Sequence, residues 1–482
     1  MFSNLRESCG IIGVYAPGED VARLSFFGLF ALQHRGQESA GIAAADGQTL
    51  RVHTAMGLVN QAFDEDSLSH LHGLAAIGHT RYSTCGSSRI TNAQPIVVNG
   101  PHGKLALGHN GNIVNAQHLR EEMEQQGLTF ETTTDSEVIA RLIVASPGRD
   151  LVERIQHAMR RLHGAYSLVL LTQDAVLAVR DPMGVRPLCL GRISGGWVVA
   201  SETCALDHIG AEFEREVEPG EIVHIDGNGP SITRAQDNGK RALCIFEYIY
   251  FARPDSIING RLLYPLRQAM GARLARDYPV DADLVIGIPD SATAAGVGYA
   301  HESGVPFTEA LIKNRYVGRT FIQPDQRIRD LGVRLKFNPL RQVLEGSRIV
   351  VVDDSIVRGT TTPHVVSLLR RAGAREVHMR ICAPPIRYPC FFGVDMATRW
   401  ELIASRKSVE EIAEFIGADS LGYQTVEGLI DAVALPECTF CLACFTGRYP
   451  IPVQLEMDKL ALESVIASPK DSGFQYVWRE MD

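Results

Sequence analysis

Three groups of side chains in this sequence have the types and spacing to do chemistry. The first is Cys9, which follows eight residues and directly precedes Gly10. Taken alone, a cysteine there reads as an inert buried thiol; as a nucleophile it would need a base and partners from elsewhere in the chain. The second is I-V-V-V-D-D-S-I-V-R-G-T-T (Ile349 to Thr361), where four β-branched residues run into two carboxylates, then hydroxyls and one glycine. The branched run makes a buried strand and leaves Asp353 and Asp354 at its carboxyl end, where ligands of open α/β sheets gather. Aspartates there can contact ribose hydroxyls, directly or through magnesium, and the turn Ser355 to Thr361 can hold a phosphate with backbone N–H groups. The plain alternative is a structural acidic turn. The third group is C-T-F-C-L-A-C, Cys438 to Cys444, with two overlapping C-x-x-C pairs. In a reducing compartment this spacing favours metal over disulfides. It offers Cys438, Cys441 and Cys444 with one remote cysteine, for an iron–sulfur cluster or structural zinc.

The elements that must position these groups change character along the chain. Up to about residue 200, short apolar runs alternate with polar turns, and Ile11 to Tyr15, Gly41 to Ala45, Leu74 to Gly78 and Leu105 to Gly108 read as buried strands. Ser167 to Leu171, Ala175 to Val179 and Trp197 to Ala200 extend the set, with helices over Val21 to Leu32 and Ser136 to Ile143. Asp135 stands where a helix cap or first-turn acid belongs. A polar stretch, Asp226 to Lys240, reads as the joint between two domains. Beyond it the order becomes strand, loop, helix: Leu284 to Ile288, Ile349 to Val352, a helix over His364 to Arg371, then Glu376 to Ile381. Repeated units of this kind predict a largely parallel sheet. No G-x-G-x-x-G or G-K-[ST] follows these strands, which excludes dinucleotide and P-loop readings.

Composition bounds the answer. The chain has 482 residues, too many for one ordinary core. It carries 47 basic against 56 acidic residues, a net charge of -9, which argues against a general nucleic-acid scaffold. No apolar run approaches the ~18 residues of a membrane span, and the leader Met1 to Ser8 lacks the apolar core of a secretory signal. A cytoplasmic protein without membrane or nucleic-acid partners is the expectation. Within this acidic chain, K-N-R-Y-V-G-R-T-F-I (Lys313 to Ile322), followed by Arg327, Arg329, Arg334 and Lys336, invites an anionic partner or forms a solvated face.

Five stretches of the first half together resemble the glutamine amidotransferases whose nucleophile is an amino-terminal cysteine. They are C-G-I-I-G-V (Cys9 to Val14), Q-H-R-G-Q-E (Gln33 to Glu38), G-H-T-R-Y-S-T (Gly78 to Thr84), G-H-N-G-N (Gly108 to Asn112) and T-T-D-S-E-V (Thr133 to Val138). Amide cleavage needs a nucleophile, a base and donors for a developing oxyanion. A free α-amine, titrating at about 7.7–8.0, can take the thiol proton within the same residue. The resemblance therefore implies that residues 1–8 are a propeptide whose removal makes Cys9 residue one. It assigns the oxyanion to the Asn110 amide and the Gly111 N–H, the glutamine α-carboxylate to Arg81 and its α-ammonium to Asp135. His34 and His79 are read as structural.

The stretch Ile349 to Thr361 resembles the phosphoribosyl-diphosphate signature of the type I phosphoribosyltransferases. That likeness assigns Asp353 and Asp354 to the ribose and magnesium, and Ser355, Ile356, Val357, Arg358, Gly359 and Thr360 to the 5′-phosphate. I-P-D-S-A-T-A-A (Ile288 to Ala295) is similar to the diphosphate-holding segment, with Ser291 beside the metal. The basic string resembles the mobile loop of the amidophosphoribosyltransferase family of purine biosynthesis, in which Tyr316 would pack into the closed site. In cluster-bearing relatives the ending C-x-x-C-F-T-G-x-Y-P implies a [4Fe–4S] cluster held by Cys244, Cys390, Cys441 and Cys444, leaving Cys438 spare.

These resemblances imply an N-terminal nucleophile αββα sandwich over 9–240 and a type I phosphoribosyltransferase domain with a mainly parallel sheet over 241–450. A tail, 451–482, would pack on the second domain. The implied activity is synthesis of phosphoribosylamine from glutamine and phosphoribosyl diphosphate, in a homotetramer inhibited by purine nucleotides. Two rivals are a glucosamine-6-phosphate-forming amidotransferase, which would need a sugar-isomerase second half, and a catalytically inactive nucleotide sensor on the same scaffold.

Overall fold

The computed structural model describes residues 9–83, 86–101, 103–235, 239–314, 337–396, 398–453 and 462. Two antiparallel sheets stack in the first half. One has seven strands in the order Glu212–Glu216, Cys189–Ile193, Gly196–Ala200, Gly10–Tyr15, Ala75–Arg81, Ser39–Ala45, Leu50–Met56. The other has six: Gly229–Arg234, Glu221–Asp226, Val176–Arg180, Gly164–Leu171, Gly103–Ile113, Ile96–Gly100. Ile11, Ile77, Ala106, Val169 and Val223 fill the space between them. Strands buried on both faces read as continuous apolar runs, which is why Gly164–Leu171 is buried throughout. Helix Val21–Ala31 covers the outside of the first sheet. Helices Ala116–Gln125, Asp135–Ala145 and Leu151–Met159 cover the second. The layers therefore run helix, sheet, sheet, helix, as the sequence predicts.

The second half is built on a four-stranded parallel sheet, ordered Leu284–Gly287, Arg348–Asp353, Glu376–Ile381, Ser420–Tyr423. Its strands are separated in turn by helices Thr293–Ser303, Thr362–Arg371 and Val409–Ile416, the pattern that forces parallel crossovers. Among the described residues no helix is long and apolar enough to cross a membrane.

Two expectations are corrected in detail. Much of the polar stretch after Asp226 is not a linker: Glu221–Asp226 and Gly229–Arg234 pair as an antiparallel hairpin at the edge of the second sheet. Its Asp, Gly and Asn residues are there because the hairpin turns on them, Asp226 accepting from Asn228 N–H at 2.8 Å. Of the tail's described residues, Ile451 and Val453 pack against the core of the second half, whereas Leu462 belongs to a buried cluster of the first. An apolar side chain takes whichever apolar groove its backbone reaches, and position along the chain does not specify it.

Candidate active sites

Cys9 leads directly into a central strand, and the antiparallel pairings Gly10 with Thr80 and Ile11 with His79 bring it to the level of Arg81. It is buried, with Sγ donating to Tyr82 O at 3.3 Å and accepting from Tyr82 N–H at 3.4 Å. Burial pushes the thiol up to about 11; the Tyr82 hydrogen bond and Arg81 pull it back, and Glu38 and Asp135 push it further up. At neutral pH this group is a thiol, so it acts as a nucleophile only with a base at hand.

Asn110 belongs to the other sheet, on the surface turned toward the sheet of Cys9. A Cβ on Gly108 would lie 3.7 Å from Ile11 and 3.8 Å from His79. Because side chains alternate along a strand, Asn110 falls on the same inner surface two residues on. It is fully buried, and neither atom of its amide has a hydrogen-bond partner among the described residues. Leaving such a group unsatisfied costs about 1–3 kcal/mol, a cost repaid only when something binds there. Gly111 follows at φ +148°, and a Cβ would stand 2.0 Å from Ala165 O, so no other residue fits.

Asp135 opens helix Asp135–Ala145 just after the Thr134 cap, which makes it the first-turn acid. Its carboxylate accepts from Ile113 N–H at 3.2 Å and lies 3.7 Å from His109 Nδ1. Arg81 is buried, donating to Ser87 O at 3.1 Å and standing 3.9 Å from Glu38. Glu38 in turn accepts from Ser83 N–H at 3.0 Å and Ser83 Oγ at 3.1 Å. Sequence reasoning gave Glu38 no role, although it closes the Q-H-R-G-Q-E string; only its contacts reveal the work of holding the arginine segment. Burial depresses His79 to about 3, so it stays neutral, and His34 is tied to Glu202 at 2.7 Å. Both histidines are committed to architecture.

The second constellation collects at the carboxyl edge of the parallel sheet. Asp353 ends its strand, and its carboxylate accepts from Asp354 N–H at 2.9 Å. Asp354 is buried and accepts from Ser355 Oγ at 2.6 Å. Burial raises its carboxyl, with the Ser291 and Ser355 hydroxyls and the Arg267 charge opposing the shift. Ser291, 63 positions earlier in the chain, is thus brought onto Asp354 by the neighbouring strand. In the turn, Ile356 and Val357 are buried in the core, so only their main chain can meet a ligand. Arg358 pairs with Glu401 at 3.1 Å. Gly359 has φ +69°, and a Cβ would meet Ile403 at 2.6 Å. Thr360 precedes helix Thr362–Arg371. Tyr316 lies outside the described residues. Its segment leaves from Leu311–Lys313 and returns at Phe337–Pro339, which pair antiparallel beside Asp290, itself 2.6 Å from Lys313.

The cysteines resolve into two environments. Cys244, Cys390, Cys441 and Cys444 line one apolar cavity with Val185, Phe246 and Met396, whereas Cys438 is exposed on a separate surface groove. Strand pairing sets Cys244 opposite Cys441. Burial pushes Cys244 up to about 12, and raises Cys441 and Cys444 well above the usual thiol range. As free thiols these groups are neutral.

Residues 79–208 match the family model described as a glutamine amidotransferase domain. An amidophosphoribosyltransferase of Synechococcus elongatus is 51% identical over 469 residues, covering 96% of this chain and 95% of the relative. One from Archaeoglobus fulgidus is 50% identical, covering 92% and 98%. The solved glutamine phosphoribosylpyrophosphate amidotransferase of B. subtilis, complexed with ADP and GMP, has TM-score 0.88 at 47% identity and covers 92% of this chain and 98% of its own. At such identity over nearly the whole length, with both constellations in place, the chain belongs to the amidophosphoribosyltransferase family.

Proposed function

We propose that this enzyme releases ammonia from glutamine at Cys9 and adds it to phosphoribosyl diphosphate at the edge of the parallel sheet, giving 5-phosphoribosylamine, glutamate and diphosphate. The observation that carries the reading is Asn110, a buried amide with no partner among the described residues, on the inner surface of the sheet stacked on that of Cys9, whose buried thiol feels the charges of Arg81 and Asp135. Once residues 1–8 are removed, the α-amine of Cys9 accepts the thiol proton and Sγ attacks the glutamine amide. Asn110 and the Gly111 N–H take the oxyanion, Arg81 holds the α-carboxylate and Asp135 the α-ammonium. Ammonia leaves, and water hydrolyses the thioester.

At the second site Asp353 and Asp354 orient the ribose, and the main chain from Ser355 to Thr360 holds the 5′-phosphate. The carboxylates and the Ser291 hydroxyl are hard oxygen donors that fit magnesium, which when bound offsets the charge of the leaving diphosphate. Tyr316 and its loop are proposed to close over the sugar and exclude water.

The four cavity cysteines fit a [4Fe–4S] cluster. The ending C-L-A-C-F-T-G-R-Y-P from Cys441, which resembles that of cluster-bearing relatives, supports the cluster over zinc. Structural zinc draws four ligands to ~2.3 Å from a point, whereas a cluster spreads its thiolates over separate irons. Cysteines from three distant parts of the chain make it a structural staple. Purine nucleotides as feedback ligands, a homotetramer and a cytoplasmic setting complete the proposal; the first is supported by the ADP and GMP bound to the B. subtilis structure.

Side-by-side assays with glutamine and ammonia test the two-site reading. Cys9→Ala should lose glutamine-dependent synthesis and keep the ammonia-dependent reaction, whereas Asp354→Asn should weaken both. Loss of the ammonia route in well-folded Cys9→Ala contradicts independent sites, and normal ammonia kinetics in Asp354→Asn removes that carboxylate from the mechanism.

A further inference from the structure

The segment Phe391–Asp395 follows Cys390 in the second half of the chain; Phe392 and Val394 join the core of that half, and the segment also bonds to residues of the first. It touches both walls of the Cys9 pocket. On one wall, Tyr82, whose backbone brackets the Cys9 sulfur, donates from its hydroxyl to Asp395 Oδ2 at 3.4 Å. On the other, Asn112 Nδ2 donates to Phe391 O at 2.9 Å. Between these contacts Gly393, at φ +95°, lies so close that a Cβ would stand 2.9 Å from Gly111 C and 3.0 Å from Gly111 O. From behind, the buried Arg186 donates to Phe392 O at 2.9 Å and to Glu247 at 3.2 Å. A five-residue loop held at its back therefore abuts the backbone bracket of the thiol and the strand that carries the oxyanion donors.

We infer that Phe391–Asp395 is a positioning segment for glutamine cleavage, supplied by the second half to complete a pocket that the first half does not finish alone. Resting on the assignment of Cys9, Asn110 and Gly111, the inference adds what fixes them. Oxyanion donors act by being aimed in advance, so a small displacement of the Gly111 strand lowers turnover more than glutamine binding, which depends on Arg81 and Asp135. The role inferred for the loop is to hold the strand and the backbone around the reacting groups, not to react.

The test uses the full-length, processed enzyme carrying Asn112→Ala, Asp395→Ala or Gly393→Ala. The first two trim side chains without crowding the backbone, so the proposal stays testable if Gly393→Ala fails to fold. The expected result is a glutamine-dependent kcat at least ten-fold lower, with the KM for glutamine and ammonia-dependent synthesis both within two-fold of the parent. Tyr82→Phe combined with Asp395→Ala should be less than additive, since both remove the contact the two side chains share. Equal loss of glutamine and ammonia activities assigns the loop to general structure and overturns the inference, as does unchanged glutamine turnover in Asn112→Ala and Asp395→Ala. Cys9→Ala, run in parallel, separates the readings: if it retains glutamine turnover, the nucleophile assignment fails, and iodoacetamide labelling of the parent shows which cysteine reacts instead.

Discussion

Asn110 and Cys9 are opposite cases of burial. The amide has lost water and found no partner among the described residues, so it is set to receive charge; the thiol has lost water and is held neutral. Removing one oxyanion donor typically lowers turnover about 10²- to 10³-fold. Asn110→Ala should show a loss of that size in glutamine-dependent kcat with ammonia-dependent synthesis retained; a change under three-fold would take the amide out of the mechanism. The thiol gives a pH test. Burial disfavours the thiolate, so in the unprocessed chain iodoacetamide should label Cys9 slowly at pH 7.5 and faster as pH rises toward about 11. In processed enzyme the adjacent α-amine should bring that reactivity down to neutral pH. Intact mass distinguishes the two forms, and equal labelling rates at pH 7.5 would sink the α-amine as base.

At the scale of elements, the cysteine cavity joins three segments: the short strand Leu243–Cys244, the turn at Cys390 and the stretch Phe440–Thr446. Cys444 O also accepts from Arg387 N–H at 2.9 Å and Tyr388 N–H at 3.1 Å, so the carboxy-terminal stretch is stitched to the segment before Cys390. A cluster there would brace the base of the Phe391–Asp395 loop. Iron and labile sulfide, four of each per chain, should vanish in Cys441→Ser and persist in Cys438→Ser, with a lower melting temperature in the first only. The reverse pattern would hand the ligand role to Cys438.

For the whole molecule, the two halves are joined by charges that no solvent reaches. Arg35 contacts Glu202 and, at 2.6 Å, Glu247, which also receives Arg186; all four side chains are fully buried. Burial alone would raise Glu202, but Arg35 and His34 outweigh it and hold the carboxylate well below its usual range. Glu247 comes from the second half and its two arginines from the first. Breaking such a pair by deleting one partner costs about 3–5 kcal/mol, because the other charge stays buried and alone. Glu247→Ala should therefore lower unfolding stability by about that much, measured by denaturant titration. A loss below about 1 kcal/mol would mean that water or another group compensates.

The sequence by itself determined the interior of the fold. Gly10–Tyr15, Ser39–Ala45, Ala75–Arg81, Gly103–Ile113, Gly164–Leu171, Val176–Arg180 and Gly196–Ala200 were all legible as apolar runs, and every one is an inner strand of its sheet. The four edge strands of these two sheets, Leu50–Met56, Ile96–Gly100, Glu212–Glu216 and Gly229–Arg234, escaped that reading, as did the inner strands Cys189–Ile193 and Glu221–Asp226. An edge strand is half solvated, and its polar residues break the pattern that burial imposes. The motif residues were legible for a related reason: a strand end and the turn after it are contiguous, so Asp353 to Thr361 declare their chemistry in one string. What tertiary structure decided are the contacts that contiguity cannot record. Glu38 meets Arg81 across a sheet, Ser291 meets Asp354 from a neighbouring strand, and Asn112 meets Phe391 across 279 positions. The same packing gathers Cys244 and Cys390 with Cys441 and Cys444 while leaving Cys438 in solvent, although spacing alone favours Cys438. Spacing along a chain fixes which side chains share a strand or a turn; which strands and turns then meet is set by the surfaces they bury.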